Sequence, residues 1–287
     1  MRSGALAGLV VVSLAVAAAG SPAVTAGLAA LGWRVSLPRV YDRVFEVALG
    51  VGLVWCWRRL DLGSATQIGV RQTGWFRDLG RGLGAGLGGV MIGLTFAWLW
   101  GSVVPVLRFA PGKTVWKAAL GCAGALLIGV GEEALFRGVL LRRFRLDLGA
   151  RTAMVVTTTI YAVVHALRTR GGGDLSGPWS GVTRTVGLFA PLAEPTVWPS
   201  VGGLLLLGLI LAWARVQTGS LWVPIGIHAA WVGVFRVGRL FVDIRPRPVW
   251  VVGPGWPPLI GGVAGMVGLA MTAILLWRLA RRWPESP

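Results

Sequence analysis

The sequence alternates between long apolar runs and short, arginine-rich polar connections. A helix needs about 20 mainly apolar residues to cross the hydrocarbon core of a bilayer. Eight stretches meet or approach that length, near 5–31, 42–57, 83–106, 115–141, 152–167, 200–216, 220–241 and 259–279, the second and fifth being short. The pattern predicts an all-α protein, a polytopic transmembrane bundle of about eight helices around a polar intramembrane cavity. It also predicts one integral membrane domain over 1–287, with a motif-bearing core at about 115–241 and a polar loop at 168–199. The first stretch has two readings. Met1-Arg2 before an apolar run that reaches Ala17-Ala18-Ala19-Gly20-Ser21 has the pattern of a cleavable signal peptide. The apolar character resumes beyond Pro22 as far as Leu31, which favours a retained span.

Composition removes the soluble alternative. Only 14% of residues are charged and 55% are hydrophobic, whereas soluble domains carry roughly a quarter charged residues. The net charge of +17 would suggest nucleic acid in a soluble chain. Here the arginines sit at the ends of apolar runs, as in Arg58-Arg59, Arg142-Arg143 and Arg281-Arg282. That placement suits anionic headgroups and snorkelling side chains. The partners expected are therefore the lipid bilayer and a membrane-associated protein or peptide, with no nucleic acid. Trp33, Trp55, Trp57, Trp250, Trp256 and Trp283 also lie near run ends, where an interfacial aromatic belt forms. Basic residues divide almost evenly between the two sides, so the charge rule does not orient the chain. Cys56 and Cys122 lie inside apolar runs and form no metal-type pair.

Three polar or glycine-rich features have ordinary explanations. Residues 58–82 are basic and read as a surface loop or interfacial helix. Gly80, Gly84 and Gly88 recur every four residues, but no strand precedes them and no Lys-Ser/Thr follows. Close helix packing through small residues explains them better than a phosphate loop does. Gly171-Gly172-Gly173-Asp174 matches Gly-x-Gly-Asp, a signature of intramembrane aspartyl proteases. Such chemistry needs two Asp sharing a proton at membrane depth, and no apolar run holds a second one, so Asp174 is read as a turn residue.

Ionisable residues inside apolar runs carry more weight, because each costs about 2.5–3.5 kcal/mol at the bilayer centre on insertion scales and so marks function. The fourth run contains Gly131-Glu132-Glu133-Ala134-Leu135-Phe136-Arg137-Gly138. Glu133 and Arg137 stand at i and i+4, the favourable order for a helical ion pair. Glu132 projects about 100° further round the helix, which leaves its carboxylate for proton work. An interfacial ion pair near a helix end is the plainer reading of this motif alone. The chain has two histidines, however, and both lie in apolar runs. His165 closes the fifth run, one turn after Tyr161 on the same face. His228 follows Pro224-Ile225-Gly226-Ile227 in the seventh. A base, a second proton carrier and a hydrogen-bond donor would thus come from three helices. A water activated by Glu132 and His165 could attack a peptide carbonyl, with His228 facing the oxyanion.

Glu-Glu-x-x-x-Arg, then aromatic-x-x-x-His, then a His after Pro-Ile-Gly resembles the CPBP intramembrane proteases. That family includes the type II CaaX prenyl endopeptidases and bacterial bacteriocin-processing or immunity proteins. The resemblance covers residues 131–232 and implies an eight-helix bundle. It implies that Glu132 and His165 activate water, that Glu133 and Arg137 support the site, and that His228 contributes to the oxyanion hole. No cofactor or metal is implied, and the place implied is a bacterial plasma membrane. Two positions depart from the pattern. Tyr161 stands where Phe is usual, and Val232 stands where the third motif has Asn. Loss of one oxyanion donor costs about 2.7–4 kcal/mol in the transition state, so Trp231, Tyr161 or a backbone N–H must substitute, or activity is slow or lost. The leading expectation is a glutamic-type intramembrane endopeptidase. A zinc protease with two His and one Glu as ligands, a non-catalytic scaffold or immunity-type protein, and a proton-coupled transporter remain alternatives.

Overall fold

A computed structural model describes residues 2–70, 73–167, 177–245, 247–255 and 257–281. Gly171 to Asp174, Trp256, Arg282 and Trp283 lie outside the described residues. In chain order the elements are α1 (Arg2–Ala30), α2 (Leu37–Trp55), α3 (Trp75–Leu99), β1 (Val103–Pro105), α4 (Pro111–Glu133), a π-helical segment (Ala134–Leu140), α5 (Leu141–Leu148), α6 (Ala150–Leu167), α7 (Ser180–Gly187), α8 (Trp198–Thr218), α9 (Trp222–Gly238), β2 (Val242–Ile244), α10 (Val249–Val252) and α11 (Val263–Ala280). Short 3-10 turns fill Ala190–Ala193 and Pro195–Val197.

All eight predicted stretches contain a long helix. Among the described residues, six helical segments are both long and apolar enough to cross a membrane: Gly4–Ala30, Trp75–Leu99, Pro111–Leu148, Ala150–Leu167, Pro195–Thr218 and Val263–Ala280. The other two fall short for definite reasons. α2 carries Arg39, Asp42, Arg43 and Glu46, and α9 is 17 residues long. Boundaries also shift. The third helix starts at Trp75, inside the segment read as polar, and stops at Leu99, before Val103–Pro105 becomes a strand.

The chain forms two compact units, Met1–Leu62 with Ala166–Pro195, and Gly63–His165 with Thr196–Pro287. In the first, α1 is a 29-residue helix containing Pro22, and it packs on α2 and α7. α7 arises in the stretch predicted to be a plain polar loop. Gly181 presses directly against the Ala18 backbone, leaving no room for a Cβ. Tyr41 and Thr185 share a 2.8 Å hydrogen bond, and buried Arg184 reaches Asp42 at 3.7 Å.

The second unit is built around α3, which packs on both α9 and α11. The glycines that allow this are not Gly80 and Gly84, whose Cβ positions meet nothing within 4 Å. A Cβ on Gly86 would lie 2.7 Å from that of Ala230 on α9, and one on Gly93 would lie 2.6 Å from the Ala264 carbonyl on α11. Gly82 meets the Val223 carbonyl and Gly89 meets Thr272 in the same way. Of the predicted stripe, Gly88 does meet α11, its Cβ position lying 2.7 Å from Leu275 Cδ1, and the rest of the small-residue packing runs through Gly82, Gly86, Gly89 and Gly93. α4 joins through Gly129, next to the Ile225 carbonyl of α9. At one end, β1 and β2 form an antiparallel ribbon pairing Val103 with Ile244. At the other, residues 63–70 are fastened rather than loose. Arg215 donates to the Gln67 carbonyl at 3.0 Å, Trp222 Nε1 donates to the Val70 carbonyl at 2.9 Å, and Ile68 is buried.

Candidate active site

The Glu132–Glu133 pair sits where α4 ends. The α-helical register continues to Glu133 and then widens into one stretch of π-helix over Ala134–Leu140. Such insertions are rare and frequent at functional sites. Phe136, Arg137, Gly138 and Val139 are all buried in it. Local sequence rules do not predict it, since Ala, Leu and Val suit an ordinary α-turn equally well.

The predicted Glu133–Arg137 pair forms, with Arg137 Nη1 donating to Glu133 Oε1 at 2.8 Å and both side chains fully buried. Further contacts fix the guanidinium. Nη2 donates to the Gly208 carbonyl of α8 at 3.2 Å, and the guanidinium carbon lies 4.4 Å from the Tyr161 ring centroid. Sequence reasoning passed over Gly208. A Cβ there would meet Thr158, Tyr161 and Arg137, and its only signal was a lone glycine in the Leu204–Leu211 run.

His228 was expected to contribute to the oxyanion hole. Its Nδ1 lies 2.7 Å from Glu133 Oε1, the same oxygen that accepts from Arg137. A carboxylate only accepts, so Nδ1–H is the donor. Nε2 of His228 then turns toward Glu132, 3.9 Å from Oε2. His165 repeats this logic. Its Nδ1–H donates to the Tyr161 carbonyl at 2.9 Å, because a carbonyl cannot donate, and its Nε2 faces Glu132 Oε2 at 3.2 Å. Both tautomers are thus set from behind by an acceptor, the arrangement that aims an imidazole. The rings are also braced: Tyr161 lies 4.3 Å from His165 and 6.2 Å from His228 between centroids, and Phe136 meets Tyr161 edge-on at 5.2 Å.

The structure therefore brings Glu132, His165 and His228 together around one carboxylate oxygen, with Glu133, Arg137 and Tyr161 behind them. All six belong to the second unit. The cluster is graded in exposure. Side chains of Glu133 and His228 are 0% and 3% exposed, whereas those of Glu132 and His165 are 18% and 19%. Gly131, exposed and with nothing within 4 Å of its Cβ position, leaves the approach to Glu132 open.

Residues 114–234, which hold every member of this cluster, match the family model described as Type II CAAX prenyl endopeptidase Rce1-like. The chain carries an Rce1-like region. This agrees with the resemblance read from the motifs, and the family is one of proteases. The six apolar helices found among the described residues, with the match to a membrane-protease family over residues 114–234, support an integral membrane protein. No curated protein and no solved structure gives a significant match. Within the Rce1-like region, Val232 follows His228 by one turn and is half-buried, with no donor to offer. Trp231 does not fill that role, because its Nε1–H is directed at Thr272 Oγ1, 3.3 Å away on α11. Among the described residues, no group of three His, Cys, Asp or Glu side chains is arranged to hold a metal ion.

Proposed function

We propose that the chain is an intramembrane endopeptidase of a bacterial plasma membrane, hydrolysing a peptide bond in a membrane-associated protein or peptide with water activated by Glu132 and His165. The observation that carries this reading is the convergence of His165 Nε2 and His228 Nε2 on Glu132 Oε2, at 3.2 and 3.9 Å. Two imidazole nitrogens whose N–H groups point elsewhere face one carboxylate oxygen, so a shared proton or a water belongs between them. Glu132 takes one proton from that water as its oxygen bonds to the scissile carbonyl carbon. The carbonyl π electrons move to oxygen and then return to re-form the C=O bond as the C–N bond breaks, and the proton held by Glu132 passes to the departing amine nitrogen. His228 Nε2 faces the same Glu132 oxygen. With Nδ1–H donated to Glu133, it can donate to the oxyanion only as imidazolium, and the neighbouring Glu133 carboxylate is the group that offsets that charge. Glu133 and Arg137 act through His228 and are positioning residues.

The test is cleavage by purified full-length protein, assayed on a CAAX-type prenylated peptide, as the family description suggests, and on a membrane-helix peptide. Glu132→Gln is expected to lower kcat about 10²–10⁴-fold, the range for general acid–base catalysis, with helicity unchanged. Activity that survives an excess of 1,10-phenanthroline separates this mechanism from a zinc protease. A non-catalytic scaffold is the second reading, favoured by Val232. It prevails if wild type cleaves neither peptide and Glu132→Gln folds equally well.

A further inference from the structure

α4 and α9 run antiparallel, with Gly121 beside Val237, Ala125 beside Gly233 and Gly129 beside Ala229. This register sets two rows of residues spaced four apart side by side, Gly124, Ile128 and Glu132 on α4 and Arg236, Val232 and His228 on α9. At the reacting end, Glu132 and His228 lie 3.9 Å apart. The middle is apolar, since Ile128 and Val232 are both half-buried. The far end is a cation. A Cβ on Gly121 would lie 3.7 Å from Arg236 Cβ, and one on Gly124 would lie 3.1 Å from Arg236 Nη1. The side chain of Arg236 therefore rests on α4 and reaches along it toward Glu132. Lys113 and Lys117 turn the other way, to Phe109 ahead of the helix, 5.1 and 4.8 Å from its ring centroid. Arg236 is exposed, and among the described residues no group accepts a hydrogen bond or forms an ion pair with it. Asp243, the next acidic residue along the chain, is taken by Arg108.

We infer that Arg236 is a specificity-determining residue, receiving a carboxylate of the peptide substrate about three or four residues from the bond that is cut. The inference rests on the hydrolytic reading of Glu132. Gly124 and Glu132 stand eight positions apart on one α-helix, which is about 12 Å along its axis. An extended peptide covers that distance in about three or four residues, at roughly 3.4 Å each. With its scissile carbonyl at Glu132, such a peptide lays an apolar side chain on Ile128 and Val232. It then brings its anion to the guanidinium, whose fork of N–H donors matches a carboxylate. That carboxylate is the side chain of Asp or Glu, or the α-carboxylate of a substrate that ends there.

Full-length protein in detergent, incubated with two synthetic peptide libraries that differ only in a free or amidated C-terminus, tests this, with cut sites read by mass spectrometry. Wild type is expected to select peptides with a carboxylate about three or four residues from the cut. Loss of that selection on amidation assigns the α-carboxylate, and its survival assigns Asp or Glu. On one selected peptide, Arg236→Gln should raise KM about ten-fold or more with kcat little changed, as loss of a charge-assisted bond does. Arg236→Glu should select Lys or Arg at the same distance. Arg239→Gln, at an exposed arginine three positions on, should behave as wild type. No carboxylate preference, a preference that survives in Arg236→Gln, an equal loss in Arg239→Gln, or displacement of the peptide by phosphatidylglycerol would each overturn the assignment. If wild type cuts nothing, the hydrolytic reading fails by itself, and the same libraries are captured on the wild-type protein. Capture selective for a carboxylate and lost in Arg236→Gln then upholds the subsite, whereas unselective capture or none overturns it.

Discussion

Arg137→Met removes the one cation that faces Glu133 from its own helix while keeping most of the side chain's volume. In the wild type, Glu133 Oε1 accepts from Arg137 at 2.8 Å and from His228 at 2.7 Å, and Glu133 Oε2 has no hydrogen-bond partner among the described residues. After the substitution, a fully buried carboxylate keeps only the imidazole. Breaking one side of a buried ion pair costs about 3–5 kcal/mol, because the remaining charge is left uncompensated. The lost bond to the Gly208 carbonyl and the lost stacking on Tyr161 act in the same direction. Glu133→Gln in the same background removes the stranded charge. The double variant should therefore be less destabilised than the sum of the single ones by about 1–3 kcal/mol, the size expected for residues in one network. Unfolding in mixed detergent micelles, followed by tryptophan fluorescence across the full cycle, gives the four stabilities needed. A cost below about 1 kcal/mol for Arg137→Met, or strict additivity, would refute a buried, mutually dependent Glu133–Arg137–His228 network.

Two other outcomes are expected. Val232→Asn places a donor one turn after His228, and in a cleavage assay it should raise kcat by up to about 10²–10³-fold if the oxyanion site lacks that donor; an unchanged rate would mean the site is already complete. Gly86→Leu inserts a side chain where even a Cβ lies 2.7 Å from Ala230. Forcing α3 from α9 should cost at least about 1–3 kcal/mol in the same unfolding assay, whereas Gly84→Leu, facing open space, should cost little.

Membrane character, helical class and the six residues that converge in the candidate site were legible in the sequence, and for one reason. Apolar runs of spanning length are a composition signal, and a charge inside such a run is costly enough to stand out against it. Glu132, Glu133, Arg137, Tyr161, His165 and His228 are local exceptions to a local pattern, so they could be named without coordinates. The i, i+4 pairing of Glu133 with Arg137 needed only helix geometry. What crosses between helices was not legible. The hydrogen bond from His228 to Glu133 spans 95 positions, and it depends on how α4 and α9 approach through Gly129. The same limit explains why the packing stripe was placed only in part, at Gly88. Gly80, Gly84 and Gly88 share one helical face, as do Gly82, Gly86, Gly89 and Gly93 in register with their partners, and only the positions of α9 and α11 decide which face is covered. The π-helical turn, the ribbon that ends α3, and the commitment of Trp231 to Thr272 likewise belong to tertiary structure. Each is chosen by a partner far away in the chain, against local preferences that are close to neutral.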